Sequence, residues 1–281
     1  MMGKRVGAIS TFIKELKAIK AKSGHTLFFR GHADESYVDI PSIFRHIDNN
    51  KDNEKYIVNE DRLFKSMIAN CPNDFVDCNS AFDYLVKMQH YGLPTRLLDI
   101  TSNPLVALYF SCCEMLGKGG KHGEVVIYEV PDYDIKFYNS DRVSVVSNLA
   151  KMPSEFNYMS EKEKYLHEIK YEKPFFLDAI NENHLESVFC VKPKLNNPRV
   201  IKQSSAFLLF GMGGSKLEPA EVPDQYRYKD KHGAIKTIKI TNNGKMNIIN
   251  ELRELGISAA SLFPEIEKVA EYLKKQPKGM L

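Results

Sequence analysis

The sequence predicts an α+β fold, a mixed or antiparallel sheet core flanked by helices, and two patterns predict it. Short apolar or alternating runs, Thr26–Phe29, Glu124–Val130, Val188–Val191, Ala206–Phe210 and Ile235–Ile240, have the length and the β-branched or aromatic content of strands. Between them lie stretches whose apolar residues recur every three or four positions, the spacing of helices with one buried face. A chain of 281 residues can bury a large core. One domain over 1–281 is expected, with a polar insertion or helical lobe at about 132–186.

Composition excludes several classes. Apolar content of 43% and charged content of 27% are ordinary for a globular protein. The 39 basic residues against 36 acidic ones give a formal charge of +3, too small to imply nucleic acid through its field alone. Cys71, Cys78, Cys112, Cys113 and Cys190 form an odd set, and no apolar leader precedes the first helix, so a reducing cytoplasm is expected. The longest apolar run, from Ala206, is far short of the roughly 20 residues that span a bilayer, so no membrane is expected. The cysteines lack CxxC spacing and the histidines HxxxH spacing, so no metal is expected.

In chain order, Phe12, Ile13, Leu16 and Ile19 share a face between lysines and open the chain with an amphipathic helix. Gly24 ends it, and the strand Thr26–Phe29 delivers Arg30, Gly31 and His32 at its end. A strand-end arginine followed by a glycine presents a guanidinium where a backbone or a ligand can approach; a core-edge ion pair is the competing role. Arg45 follows a turn. From Asn59, a capping residue, Leu63, Phe64, Met67 and Ile68 mark a second helix, and Phe82, Leu85 and Val86 a third that delivers Gln89 and His90. Gln89 to Asn103 reads as a polar loop, and Pro104 opens a helix capped by Ser102 or Asn103 and stopped by Gly117 and Gly119. Gln203 and Ser204 stand at the mouth of the strand Ala206–Phe210. Met246–Leu255 is a helix stopped by Gly256. Pro264 opens a last one with Val269, Ala270 and Leu273 inward, and the tail to Lys278 is a solvated segment.

Phe29-Arg30-Gly31, the run Gln89-His90-Tyr91-Gly92-Leu93-Pro94-Thr95-Arg96-Leu97-Leu98-Asp99, and Thr101-Ser102-Asn103-Pro104 resemble the FRG domain family. Ala107–Phe110, Arg199 with Gln203, Gly256-Ile257 and Ser261–Pro264 extend the resemblance over most of the chain. His32, Ile100 and Ser204 depart from it, standing where the family has glutamine, often tryptophan and often glycine. The order of these motifs also resembles the Arg, Ser-Thr-Ser, Glu arrangement of mono-ADP-ribosyltransferases, and so implies an ADP-ribosyltransferase-like architecture. The resemblance implies NAD as substrate and a macromolecular target, protein or nucleic acid. A toxin or phage-defence role with an antitoxin or immunity partner would follow.

Carried over by position, Arg30 holds NAD phosphate or ribose, Thr101 and Ser102 shape the nicotinamide pocket, and Gln203 stands where the third motif has its carboxylate. Gly31, His32 and Tyr91 complete the expected NAD-binding set. A carboxamide is no base near neutrality, so Asp99, His90 or His32 has to activate the acceptor. Two other readings stand beside this one. The first is a non-catalytic nucleotide- or nucleic-acid-binding module, drawn from the missing carboxylate. The second is a hydrolase using His90 and Asp99, which has the residue types without a known spacing.

Overall fold

A computed structural model of the chain describes residues 5–114 and 119–274. Gly117 and the tail 275–278 lie outside the described residues, as does the side chain of Leu273. Seven strands form one mixed sheet: β1 (His25–His32), β2 (Leu97–Thr101), β3 (Gly123–Pro131), β4 (Ile135–Phe137), β5 (Val188–Lys192), β6 (Ser205–Phe210) and β7 (Thr237–Ile240), in the order β4-β5-β6-β2-β1-β3-β7. Every neighbouring pair is antiparallel except β4 with β5. The helices are α1 (Ile9–Lys17), α2 (Glu60–Asn70), α3 (Ala81–His90), α4 (Pro104–Cys112), α5 (Asp141–Ser147), α6 (Tyr158–Glu172), α7 (Pro198–Lys202), α8 (Lys245–Glu254), α9 (Ala259–Leu262) and α10 (Ile266–Lys274). Among the described residues no helix is long and apolar enough to cross a membrane.

Strand alternation sorts the core into faces. Phe28, Leu98, Ile100, Tyr128, Leu208 and Phe210 bury one face beneath Ile43, Phe44, Ile57 and Tyr226. The opposite face carries two separate clusters. Leu97, Phe189, Phe207 and Leu209 meet α2, α3, α5 and α6 through Phe64, Phe82, Val146 and Tyr165. Phe29, Val125, Ile127 and Ile240 meet α1, α4 and α8 through Phe12, Leu108 and Ile248. Between the two clusters, Asp99 stands exposed on the central strand of the sheet.

The strands also part at this seam. β1 pairs with β3 along all eight of its residues, from His25↔Pro131 to His32↔Glu124, and β2 pairs with β6 from Leu97 to Thr101. β1 and β2 are joined at a single register pair, Phe29↔Thr101. Beyond it, Arg30–His32 and Leu98–Ile100 leave backbone groups that no strand ladder satisfies, and side chains have to take them up.

Three expectations are corrected. The stretch 89–103 is not a continuous loop, because Leu97–Thr101 is the central strand β2. A strand covered on both sides loses its alternation, and Leu97-Leu98 before a lone acid gives no strand period. β1 does not stop at Phe29. Backbone pairing to β3 carries it through Arg30, Gly31 and His32, although the apolar run has ended. Asn59 precedes α2 without making a side-chain cap, whereas Ser80 caps α3 and Asn103 caps α4 by accepting from the Leu105 N–H at 3.0 Å.

The polar segment expected as an insertion or lobe supplies β4, α5 and α6. Its Val143, Val146, Tyr165 and Ile169 are fully buried in the cluster shared with Phe82 and Phe207. Its charged residues form the outward face, which is why the sequence reads as polar. The strand expected at Ile235–Ile240 is β7, with one side buried.

Candidate functional site

A cavity of about 230 Å³ opens where β1 and β2 part. Arg30, Gly31 and His32 of β1 line it, with Asp99, Ile100 and Thr101 of β2, Ala107 and Phe110 of α4, Arg199 of α7, and Tyr37, Arg45 and Gln203 from connecting segments. The fold therefore brings together six of the residues read from sequence: Arg30, Gly31, His32, Asp99, Thr101 and Gln203. His90 and Tyr91 line two neighbouring clefts instead, which adjoin the cavity through Arg199, and Ser102 lines none of the three.

Arg30 spans the parting. Its Nη1 donates to the backbone carbonyl of Asp99 at 2.7 Å, filling the place of the missing ladder bond, and its Nε donates to His32 Nε2 at 3.2 Å. Nη2 has no protein acceptor among the described residues. Behind it, Asp39 is buried with His32 Nε2 at 3.2 Å from its Oδ1, Arg30 Nε at 4.0 Å, and Arg227 bonded to Oδ2. Burial alone would raise the Asp39 carboxyl; the adjacent His32 and the charge of Arg227 outweigh it and hold the group well below the usual carboxylate range. Arg45 donates to the Ile40 carbonyl at 3.0 Å and forms no ion pair among the described residues. Burial, then the charge of Arg30, lowers its proton affinity. Arg30 and Arg45 thus face one cavity with the already shared Asp39 carboxylate behind Arg30, while Asp99 and Glu114 line other parts of the wall; the paired guanidiniums are suited to an anion.

Gly31 serves the scaffold. A Cβ there would lie 2.0 Å from the Ala107 carbonyl oxygen and 2.6 Å from the Ser111 nitrogen, so the glycine is required by α4 pressing its backbone onto β1. Of the two approaches that a glycine permits, helix backbone is the one realised. Thr101 and Gln203 are tied to each other: Thr101 Oγ1 donates to the Gln203 carbonyl at 2.6 Å and accepts from the Asn103 N–H at 3.0 Å. The Gln203 amide donates to the Leu262 carbonyl at 3.0 Å. Both residues are buried, so they fix the cavity wall. Ser102, next along, donates its backbone N–H to the Ser204 carbonyl at 3.1 Å. Ser204 itself sits at φ 48°, a left-handed position that glycine takes without strain.

Asp99 is the open acidic group. Its Oδ2 accepts from Gln89 Nε2 at 2.8 Å, while Gln89 Oε1 accepts from Thr95 Oγ1 at 2.6 Å. Asp99 Oδ2 and the Leu97 carbonyl, 3.3 Å from the same nitrogen, only accept, and they fix which end of the Gln89 amide faces Asp99.

His90 is a latch between segments. Asn197 Oδ1 accepts from the Arg199 N–H at 2.9 Å, so its amide nitrogen faces His90 Nδ1 at 3.2 Å. Nδ1 is then the acceptor, and Nε2, which carries the proton, lies 2.6 Å from Glu265 Oε1. Burial, then the neighbouring Arg199, lowers the proton affinity of His90, and the opposing pull of Glu265 is insufficient to reverse this. Arg199 donates to the His90 carbonyl at 2.8 Å and lies 4.6 Å from the Phe263 ring centre, drawing the segment before α10 over the site.

Sequence reasoning missed Tyr37, Asp39 and Arg45, which lie in a polar stretch with no period to mark it, and undervalued Gln89. Only the spacing of Gln89, ten residues before Asp99 across a helix end, hinted at a contact.

Comparison with curated proteins and with solved structures returns no significant match. The family model of the FRG domain matches residues 25–119, from the start of β1 to just beyond α4. Arg199, Gln203 and the closing stretch 256–264 lie outside the match. The matched segment, about a third of the chain, contains the parting strands, Arg30, the Thr95–Gln89–Asp99 chain and the helix that needs Gly31, and over these residues the chain is similar to the FRG domain.

Proposed function

We propose that the cavity between β1 and β2 takes one half of an NAD molecule and that the chain is an ADP-ribosyltransferase-like enzyme. One observation carries this reading. The sheet order β6-β2-β1 sets the three motif positions side by side, so that Arg30, Thr101 and Gln203 border a single cavity that Arg45 also faces. The volume of about 230 Å³ is below the 300 Å³ or more of a whole-ligand pocket. It holds a mononucleotide half, and the remainder lies across Arg199 in the adjoining clefts. Arg30 and Arg45 take the pyrophosphate. In the reaction the bond between ribose C1′ and the pyridinium nitrogen breaks, and its electron pair leaves with neutral nicotinamide. The acceptor, a macromolecular nucleophile or water, then bonds to C1′ and releases a proton. Such a chain would serve as a toxin or phage-defence effector and would need an antitoxin or immunity partner.

A second reading, a non-catalytic nucleotide-binding module, is favoured by the carboxamide at Gln203 and its bond to Leu262. One experiment separates the two. Purified protein is incubated with NAD labelled in the nicotinamide ring, and both bound NAD and released nicotinamide are measured. Release by the wild type, abolished in Arg30→Ala with an unchanged melting profile, supports the enzyme. Binding without release supports the module, and absence of both removes the NAD reading.

A further inference from the structure

From the geometry we infer that Asp99 is the catalytic base of this site and that Gln89, itself set by Thr95, is its positioning residue. The inference rests on the NAD reading above and names the group that takes the acceptor's proton. Three side chains have the chemistry, and the fold disqualifies two. His90 accepts at Nδ1 from Asn197, carries its proton at Nε2 beside Glu265, and faces a different cleft. His32 is 3% exposed; its Nε2 lies against Arg30 and Asp39, and its Nδ1 is buried without a hydrogen-bond partner among the described residues. Asp99 is exposed on the central strand, in the same cavity wall as Arg30, and of its two oxygens only Oδ2 is engaged.

Its position is unusual for a charge. Central strands are ordinarily covered on both faces, and here Leu98 and Ile100 on either side of Asp99 are each 2% exposed. The acid is open because the two helical clusters leave a seam over it. Gln89 closes one side of that seam. The Gln89 NH2 faces two groups that only accept, Asp99 Oδ2 and the Leu97 carbonyl, so the amide cannot turn round, and Thr95, 1% exposed, anchors its carbonyl oxygen. Asp99 lines the cavity, and its Oδ1 has no hydrogen-bond partner among the described residues. As the bond to nicotinamide breaks, the acceptor's lone pair bonds to C1′, and its proton passes to this oxygen. Only a weak base is needed, because the acceptor acidifies as it bonds to a cationic carbon.

The test compares NAD binding by equilibrium dialysis with nicotinamide release over a pH series, for the wild type, Asp99→Asn, Gln89→Ala and Gln89→Glu. Asp99→Asn is expected to bind NAD within about threefold of the wild type and to lose release by about 100-fold or more, the usual worth of a positioned base. In Gln89→Ala the carboxylate loses a hydrogen bond, and in Gln89→Glu it gains a like charge. The acidic limb of kcat should therefore move to higher pH in the first and further in the second, a signature that lost packing does not produce. An Asp99→Asn enzyme retaining more than a third of wild-type release overturns the assignment while leaving the NAD reading intact, as does an unmoved acidic limb in both Gln89 variants. Wild-type binding without release overturns it in favour of the binding module. A wild type that neither binds nor consumes NAD removes the reading and the assignment together.

Discussion

Arg30 and Arg96 both lie in the segment that the FRG domain model matches, yet the fold uses them in opposite ways. Arg96 is fully buried. Its Nε donates to Glu60 Oε1 at 2.9 Å, its Nη2 bonds Oε2, and its Nη1 donates to the Phe210 carbonyl at 2.9 Å, so every face of the fork is taken. Lys216, also fully buried, lies 3.2 Å from the same Glu60 and donates to the Met152 carbonyl. Arg30 makes one bond to a backbone carbonyl and one to an imidazole, with its nearest carboxylate 4.0 Å away. A guanidinium that the protein satisfies completely is a structural member; one left partly unsatisfied at a cavity is available to a ligand.

The largest expected effect breaks this contrast on the buried side. Burial alone would raise the Glu60 carboxyl, and the charges of Arg96 and Lys216 outweigh it and hold it below the usual range. Glu60→Gln leaves two buried cations without their counter-charge, and a loss of about 3–5 kcal/mol in unfolding free energy is expected from denaturant titration. Arg30→Ala, which removes two hydrogen bonds at an open site, should cost about 1–2 kcal/mol in the same titration. Equal losses would erase the distinction between the two arginines.

Gly31→Ala comes next. The added methyl meets the Ala107 carbonyl and the Ser111 nitrogen, so α4 has to shift, and about 3 kcal/mol of destabilisation is expected from this overpacking. Because the shift moves the cavity wall, NAD binding should weaken as well. A stable Gly31→Ala protein would mean that the helix is less firmly seated than its contacts indicate.

The smallest effect concerns the latch. Folded His90 takes up a proton less readily than the unfolded chain, whose imidazole titrates near 6.5. Its contribution to stability is therefore complete above that pH and declines as the pH falls, because the unfolded state binds the proton first. Thermal melting between pH 7.5 and pH 5 should fall less steeply in His90→Gln than in the wild type; parallel curves would show that His90 is not the titrating group.

Local chemistry made much of this legible in advance. Helix caps, the glycine after Arg30 and the apolar strands announce themselves because their causes lie within a few residues. The strand β2 did not, since its lack of alternation follows from being covered on both sides by elements that lie far away in sequence. Gln89 and Thr95 looked like ordinary polar loop residues until the helix end and the strand brought them to Asp99.

The sequence by itself determined the α+β class, most strand and helix positions, and the motif residues from which a site could be built. Tertiary structure alone decided that β1 and β2 part after a single register pair, that Arg96 is sealed while Arg30 is open, and that His90 faces away from the cavity. The reason is physical: propensity and capping act over a turn or two, whereas exposure and ion pairing depend on which distant segments pack together.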